Sequence, residues 1–180
     1  VVFIGAGNLA TRLATEMHRV GITVGQVYSR TEDSARKLAS MLNCGWTNAL
    51  DEIREDADLY VFSVKDAVLE AVLSQMQPNN GLWVHTAGSV PMNIFEPYAS
   101  RYGVFYPLQT FSKGRTLTFE KIPVFIEAVS TQDERFLHNI ANSLTDTVIS
   151  LSSKKREKVH LAAVFACNFA NHMYAIAEKI

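Results

Sequence analysis

The sequence of 180 residues lacks several features that define whole classes of protein. Its two cysteines, Cys44 and Cys167, are too few for a disulfide framework and form no metal-binding spacing. Its 17 basic and 18 acidic side chains give a formal net charge of −1, whereas nucleic-acid and anionic-membrane binding depend on clustered Lys and Arg. No apolar stretch is long enough to span a bilayer, and no signal peptide is evident. We therefore expect a cytoplasmic globular protein that binds neither nucleic acid nor membrane and holds no metal.

The composition and the two ends of the sequence set the expected domain organisation. With 48% apolar residues, a chain of this length can bury a large core in one domain and still carry a further element. It begins without Met inside an apolar segment, and residues 175–180 contain no helix stop signal. We therefore expect the sequence to be a piece of a longer protein.

A glycine-rich turn near the start is the strongest local signal. Residues 1–4 are β-branched or aromatic, as expected of a buried first strand, and residues 5–10 follow as G-x-G-x-x-A. In this motif the first glycine allows a tight turn, the second lets the backbone approach a pyrophosphate, and the third small residue keeps helix and strand close. Free N–H groups at the helix start then form an anion site. The predicted cofactor-binding residues are Gly5, Ala6, Gly7, Asn8 and Leu9.

The segments that follow supply the context that this short motif needs. Apolar residues at helical spacing over residues 9–20, a strand at 22–28 and a helix at 31–42 complete a strand–helix–strand unit. Further strands are predicted at residues 44–47, 59–64, 82–85, 103–106 and 123–126, with helical faces at 68–76 and 136–144. This alternation predicts an α/β fold with a Rossmann-like, doubly wound, mostly parallel sheet.

The end of the second predicted strand indicates which nucleotide is bound. NAD-specific sites usually place a carboxylate there, about 20 residues beyond the glycines, to bind the ribose hydroxyls. Here the residues are Ser29, Arg30 and Thr31, and a guanidinium with neighbouring hydroxyls suits the 2′-phosphate of NADP. The alternative is that Arg30 is solvated and that Ser29 or Thr31 caps the next helix. We favour NADP.

Three later segments follow strand ends, where ligands of open α/β sheets bind. His85 is predicted either to orient the nicotinamide and donate a proton or to act as a structural hydrogen-bonding group. Residues 106–112 either line a substrate pocket or form a rigid loop whose Phe and Leu belong to the core. The predicted cofactor contacts at these ends are Ser63, Val64 and Lys65, and the predicted substrate contacts are Ser89 and Gln109.

The last segment differs in character from the rest. Residues 153–180 contain no Gly or Pro and predict up to 28 residues of helix, about 40 Å at 1.5 Å per residue. Residues 161–170 are apolar almost all round, so we expect a second subunit or further helices to cover them. The basic run at residues 154–158 is predicted to be a solvated face.

Three polar residues recur at helical spacing on this segment. His160, Asn168 and His172 are therefore expected on one face of the helix. They either face the cofactor cleft, with His160 and Asn168 catalytic and His172 binding substrate, or form hydrogen bonds across a subunit interface.

Four segments together resemble bacterial NADP oxidoreductases that combine a Rossmann domain with a C-terminal helical domain of undefined function. They are residues 5–10 (GAGNLA), 85–89 (HTAGS), 106–113 (YPLQTFSK) and 162–172 (AAVFACNFANH). More distantly, the sequence is similar to pyrroline-5-carboxylate reductase, to deazaflavin-dependent NADP oxidoreductases and to hydroxyacid dehydrogenases related to 6-phosphogluconate dehydrogenase. The resemblance implies further helices and a homodimer formed through them.

The hydroxyacid dehydrogenases also imply where catalysis would occur. In them a long helix after the Rossmann domain presents a catalytic Lys with an Asn one turn on, whereas this sequence has no Lys on the corresponding face. His160 and Asn168 would take those roles, and the departure weakens the case for the hydroxyacid reaction itself.

We predict an NADP-binding Rossmann domain at residues 1–150, followed at residues 151–180 by the first helix of a helical dimerisation domain. The favoured function is hydride transfer between NADPH and a small C=O or C=N substrate, with the proton supplied by His85 or by the face of His160 and Asn168. The alternative is a non-catalytic NADP sensor that couples nucleotide state to dimer geometry.

Overall fold

A mostly parallel sheet organises the chain, which the computed structural model describes at residues 1–111 and 118–178. In this part the strands are β1 (Val2–Ile4), β2 (Gln26–Tyr28), β3 (Gly45–Thr47), β4 (Leu59–Phe62), β5 (Leu82–His85), β6 (Tyr102–Pro107), β7 (Val124–Ala128) and β8 (Val148–Ser150). They lie in the order β3-β2-β1-β4-β5-β6-β7-β8. Strands β1 to β6 are parallel, β7 is antiparallel to β6, and β8 is parallel to β7. The predicted Rossmann-like α/β fold is confirmed.

Helices cover both faces of this sheet. They are α1 (Asn8–Arg19), α2 (Glu32–Leu42), α3 (Asp66–Leu73), α4 (Thr131–Asn142), α5 (Ser153–Ala163) and α6 (Ala170–Ala177), with short 3-10 turns at Leu50–Glu52, Met92–Phe95 and Phe119–Lys121. Helices α1, α2 and α4 bury Leu13, Leu38 and Leu137 in one core, and α3 buries Leu69 in the core on the opposite face. Because both faces are covered, all four residues of β4 are buried, which explains its continuous apolar sequence.

The core beside α3 is built mainly from aromatic rings. The ring of Phe62 lies 5.1 Å from that of Trp83 and 5.4 Å from that of Phe95, measured between centroids. Trp83 and Phe95 are almost fully buried. Tilted aromatic pairs of this kind add stabilisation beyond the area they bury, so they form a rigid layer beneath the carboxyl ends of β4 and β5.

The observed strands differ from the predicted ones most at two places, although β4, β6 and β7 also end one or two residues away from the predicted limits. β2 begins at Gln26, although the apolar pattern predicts a strand from residue 22. β8 (Val148–Ser150) is not predicted at all, because it has three residues and two of them are exposed at the edge of the sheet. Short edge strands carry little of the apolar pattern by which a strand is recognised.

The last segment is helical from Ser153 to Ala177, because a π-helical segment, Val164–Phe169, joins α5 to α6. The expected coverage of its apolar residues is not present within the described chain. Leu161, Phe165, Phe169 and Met173 are each more than half exposed. That a second subunit or further helices cover them stays a prediction. Among the described residues, no helix combines the length and apolar character needed to cross a bilayer.

Candidate functional site

The strand order reverses between β1 and β4, and open α/β sheets bind ligands at the carboxyl ends of the strands beside such a point. Backbone hydrogen bonds hold the loops together there. The N–H of Gly5 donates to the Tyr28 carbonyl at 2.8 Å, the N–H of Ser63 donates to Ile4 at 2.8 Å, and that of Thr86 donates to Phe62 at 3.2 Å. The segments after β1, β4 and β5 therefore form one continuous edge.

The two glycines of the fingerprint occupy very different surroundings. Gly5 has φ +114°, and a Cβ there would lie 2.3 Å from the carbonyl oxygen of Ser63, so the position admits only glycine. Gly7 has an ordinary φ of −74°, and a Cβ there would meet no described atom within 4 Å. Packing thus requires Gly5, whereas Gly7 leaves open space at the start of α1.

The start of α1 has the properties of an anion site. Among the described residues no side chain caps it, and its first turn contains no acidic residue, so these residues leave the amides of Asn8 and Leu9 open to a ligand. The Asn8 side chain instead donates its Nδ2 hydrogen to the carbonyl of Phe111 at 3.1 Å, which ties α1 to the loop after β6. Within the part of the chain that the structure describes, the predicted pyrophosphate position is therefore uncapped, has open space beside Gly7 and has no acidic residue in the first turn of α1.

The end of β2 presents a guanidinium beside hydroxyl groups. Arg30 is exposed and makes no hydrogen bond or salt bridge within residues 1–111 and 118–178. Nearby, Arg36 forms a salt bridge with Glu32 and lies over the ring of Trp46, 5.0 Å from its centroid. Thr31 begins α2 without capping it, because its hydroxyl donates to Ser34 Oγ at 2.8 Å. Glu32 is thus paired with Arg36, while the side chain of Arg30 has no such partner among the described residues.

The predicted contacts after β4 lie next to the fingerprint. Ser63 carries the carbonyl that packs on Gly5, and a Cβ on Gly5 would also lie 3.3 Å from a methyl group of Val64. The Thr86 hydroxyl donates to Ser63 Oγ at 3.2 Å and so links the ends of β4 and β5. Lys65 is exposed at the start of α3.

His85 lies beneath the edge and is fully buried. Its ring stacks on Phe95 at 5.6 Å, and its Nδ1 accepts a hydrogen bond from the Ala87 N–H at 3.2 Å. Burial, assisted by the positive charge of Arg156, lowers the pKa of His85 to about 3, so the ring is neutral at ordinary pH. These surroundings favour the structural alternative for His85 over the catalytic one.

His160 lies where α5, β6 and the loop after β5 meet. Its Nδ1 is 2.8 Å from the hydroxyl oxygen of Tyr106, and a Cβ on Gly88 would lie only 2.4 Å from that nitrogen. Tyr106 is 7% exposed, and burial raises its pKa to about 12. Tyr106 belongs to the segment predicted either to line a substrate pocket or to form a rigid loop, and the sequence does not single it out, since a buried aromatic at a strand end is also typical of core. The feature of the sequence that could have drawn attention to Tyr106 is its position at the start of the polar segment 106–112.

The basic run at residues 154–158 was predicted to be a solvated face, and this prediction is wrong for Arg156, although the other four residues are exposed. The side chain of Arg156 is 1% exposed, and Nη1 donates to Glu127 Oε2 at 2.7 Å while Nη2 donates to the carbonyl of Val90. Ser153 Oγ also donates to Glu127 at 2.6 Å and accepts from the N–H of Met92 at 2.9 Å. The first turn of α5 is therefore fixed to β7 and to the loop after β5 by a buried ionic network.

The structure does not bring the remaining predicted site residues together. The Ser89 hydroxyl donates to Asp66 Oδ2 at 2.8 Å at the mouth of the edge, and the exposed Gln109 accepts from the N–H of Thr110 at 2.8 Å. Asn168 and His172 are exposed and lie about 12 and 18 Å beyond His160 along the helix, and their side chains make no hydrogen bond within the described chain. Residues 112–113 of the segment YPLQTFSK lie outside the described residues. Within those described, no three His, Cys, Asp or Glu side chains could hold a metal ion.

Comparison with known proteins finds a matching family model for each end of the chain. Residues 1–85 match the family model for "NADP oxidoreductase coenzyme F420-dependent", and residues 122–180 match a domain of unknown function (DUF2520). A solved structure from Bacteroides fragilis, named a "putative NADP oxidoreductase", is 50% identical over 99% of this chain and 70% of its own, with a TM-score of 0.91. The chain belongs to this NADP oxidoreductase family. The resemblance inferred from the four sequence segments is confirmed.

More distant structures share the fold of the NADP oxidoreductase family. A reductive aminase from Aspergillus terreus is 16% identical over 98% of this chain and 64% of its own, with a TM-score of 0.77. A pyrroline-5-carboxylate reductase from Coxiella burnetii is 17% identical over 99% of this chain and 70% of its own, with a TM-score of 0.73. Comparison with curated proteins finds no match.

Proposed function

We propose that the protein binds NADPH along the carboxyl ends of β1, β4 and β5 and transfers a hydride between NADPH and a small C=O or C=N substrate. The observation that carries the proposal is the contrast between the two fingerprint glycines. Gly5 is held against Ser63, whereas the space before Gly7 is open at the uncapped start of α1. A backbone that leaves such space beside free amides fits a pyrophosphate.

We propose that the protein binds NADPH in preference to NADH because of Arg30. Its exposed guanidinium, next to Ser29 and Thr31, would bind the 2′-phosphate through charge-assisted hydrogen bonds. Ser63, Val64 and Lys65 would contact the nucleotide farther along the edge. When bound, the nicotinamide supplies the hydride, and the protein has to supply a proton to the atom that becomes an alcohol or amine.

Among the predicted proton donors, the surroundings support His160 best. It is half-buried beside the loop that follows β5, whereas His85 is fully enclosed and Asn168 is exposed about 12 Å farther along the helix. Ser89 and Gln109 would contact the substrate at the mouth of the site, and His172 would do so only if a covering element brought it there. We keep the division into a nucleotide domain, residues 1–150, and a helical domain from residue 151 as part of the proposal.

The test is binding followed by turnover. We expect the purified protein to bind NADPH more tightly than NADH in calorimetric titrations, and to oxidise NADPH with at least one member of a panel of imines, keto acids and deazaflavins. Imines and ketones head the panel because a protein of the same fold is a reductive aminase described with NADPH and ethyl-5-oxohexanoate. Failure to bind either nucleotide would refute the proposal. Binding without turnover across the panel would favour the sensor.

We also propose that the protein acts as a homodimer. Leu161, Phe165, Phe169 and Met173 form an exposed apolar surface on the last helix, and such surfaces usually mark an interface. Sedimentation of the purified protein at several concentrations tests this, and a species of monomer mass throughout would contradict it.

A further inference from the structure

The hydrogen bond between Tyr106 and His160 has a defined direction in the neutral ring. Tyr106 is buried, so its hydroxyl hydrogen requires an acceptor, and the acceptor within the described chain is His160 Nδ1 at 2.8 Å. The two rings meet edge to face, with centroids 5.8 Å apart and planes inclined by 73°. If Nδ1 accepts, the ring proton resides on Nε2.

The other nitrogen of His160 is free to meet a ligand. Nε2 makes no hydrogen bond within residues 1–111 and 118–178, and it is not among the buried polar atoms that lack a partner. It is therefore open to the surroundings of the site. A histidine with one nitrogen fixed by the protein and the other open is the arrangement that proton transfer to a ligand requires.

The pair lies beside the ends of β5 and β6, two to three strands from the fingerprint. The ring of His160 packs on Gly88, which follows β5, and Tyr106 belongs to β6. With neighbouring strands about 4.8 Å apart, the end of β5 lies about 10 Å from that of β1, where the fingerprint begins. A dinucleotide with its adenosine at the end of β2 and its pyrophosphate beside Gly7 would lie across β4 and bring its nicotinamide end towards this pair.

The backbone around the pair is held firmly. Arg156, one helical turn before His160, is bonded to Glu127 on β7 and to Val90 in the loop after β5. Gly88 leaves no room for a side chain between that loop and the imidazole ring. The orientation of His160 is thus fixed from the helix, from the loop and from β6 together.

We infer that His160 is the residue that gives the proton to the substrate and that Tyr106 is its positioning residue, an inference that rests on the proposed function. With a bound nicotinamide to supply the hydride, the doubly protonated ring of His160 would give its Nε2 proton to the substrate oxygen or nitrogen. The neutral ring formed in this way would keep its proton on Nδ1, and solvent would return a proton to Nε2. The Tyr106 hydroxyl suits each state, because it donates to Nδ1 of the neutral Nε2–H ring and accepts from Nδ1–H both of the charged ring and of the neutral ring formed by proton transfer.

A measurement without substrate tests the pairing directly. In nitrogen NMR of the full chain, with the signal of His160 assigned by its loss in His160→Gln, we expect the neutral ring to be protonated at Nε2. In Tyr106→Phe the ring should become a mixture of both tautomers. An unchanged tautomer in Tyr106→Phe would overturn the positioning role. Tyr102→Phe, at the other end of β6, is the matched control and should change nothing.

Steady-state kinetics of the wild-type protein, of two single variants and of the double variant then test the catalytic role. We expect His160→Gln to lower kcat about 100-fold or more and Tyr106→Phe to lower it roughly tenfold, both with unchanged NADPH affinity. The double variant should be no slower than His160→Gln, because Tyr106 acts through that ring. A further tenfold loss in the double variant would assign Tyr106 a separate, structural effect and overturn the inference. His138→Gln, which removes another hydroxyl-bonded histidine, is the control.

These outcomes separate the inference from the proposed function. Wild-type kcat in His160→Gln would overturn the inference while NADPH turnover stood. Failure of the wild-type protein to bind NADPH would overturn the proposed function, and with it the catalytic assignment, whatever the tautomer of His160.

Discussion

The two ends of the candidate site are built in opposite ways. At the nucleotide end, the backbone between Gly5 and Gly7 provides the site within three residues. At the helix end, side chains from distant parts of the chain provide it, since Tyr106 and His160 are separated by 54 positions and Arg156 and Val90 by 66. Substitutions at the first end should therefore act through backbone conformation and open space. Those at the second should act through buried polar contacts.

The largest effect is expected where the nucleotide end is most tightly packed. Gly5→Ala would place a methyl group 2.3 Å from the Ser63 carbonyl at a φ of +114°, so it should lower the free energy of unfolding by more than about 3 kcal/mol. Gly7→Ala should cost less than about 1 kcal/mol, yet weaken NADPH binding about tenfold or more. Urea unfolding and calorimetry of both variants measure this. Equal losses of stability would remove the contrast between the two glycines.

At the helix end, the buried ion pair should dominate stability. Arg156→Met leaves Glu127 without its cationic partner and should cost about 3 kcal/mol of unfolding free energy. Adding Glu127→Gln should restore part of that loss, because no unpaired carboxylate remains. Lys155→Met, at an exposed position of the same basic run, should change stability by less than about 0.5 kcal/mol. If the two single variants unfold alike, the network does not anchor α5.

The preference for NADPH over NADH tests the part of the nucleotide end that follows β2. We expect Arg30→Ala to weaken NADPH by one to two decades, roughly 1.5–3 kcal/mol, with little effect on NADH. Arg36→Ala is the matched control, because Arg36 is already engaged by Glu32 and Trp46 and should leave the ratio of the two affinities unchanged. Equal weakening of NADH and NADPH by Arg30→Ala would contradict the assignment.

The smallest effect concerns pH. The pKa of His85 falls from 6.5 to about 3 on folding, so the unfolded chain binds more protons between these values. As far as His85 is concerned, the free energy of unfolding is therefore highest above pH 6.5 and decreases as the pH falls towards 3. The decrease is about 1 kcal/mol between pH 6 and pH 5. His85→Gln should remove this part of the slope in chemical denaturation, whereas His18→Gln, at an exposed position, should keep it. An unchanged slope in His85→Gln would show that other groups cause it.

The same contrast explains what could be predicted from the sequence. The fingerprint, the strand ends and Arg30 are local patterns, and the mostly parallel, Rossmann-like sheet predicted from such patterns is confirmed. Arg156 was mistaken for a solvated residue because its neighbours in sequence are charged, while the carboxylate that pairs with it lies 29 positions earlier. The contact between Tyr106 and His160 could not be predicted for a similar reason. The partner of Tyr106 is fixed only when α5 packs against β6, and no local pattern records that contact.

The contrast between the two glycines also bears on how a library of variants would be interpreted. A screen that scores cellular abundance would mark Gly5 as intolerant and pass over Gly7, because a Cβ at Gly7 meets no described atom within 4 Å. A screen that scores nucleotide retention would mark both. Positions that differ between the two screens would outline the ligand directly, with no need for a ligand-bound structure.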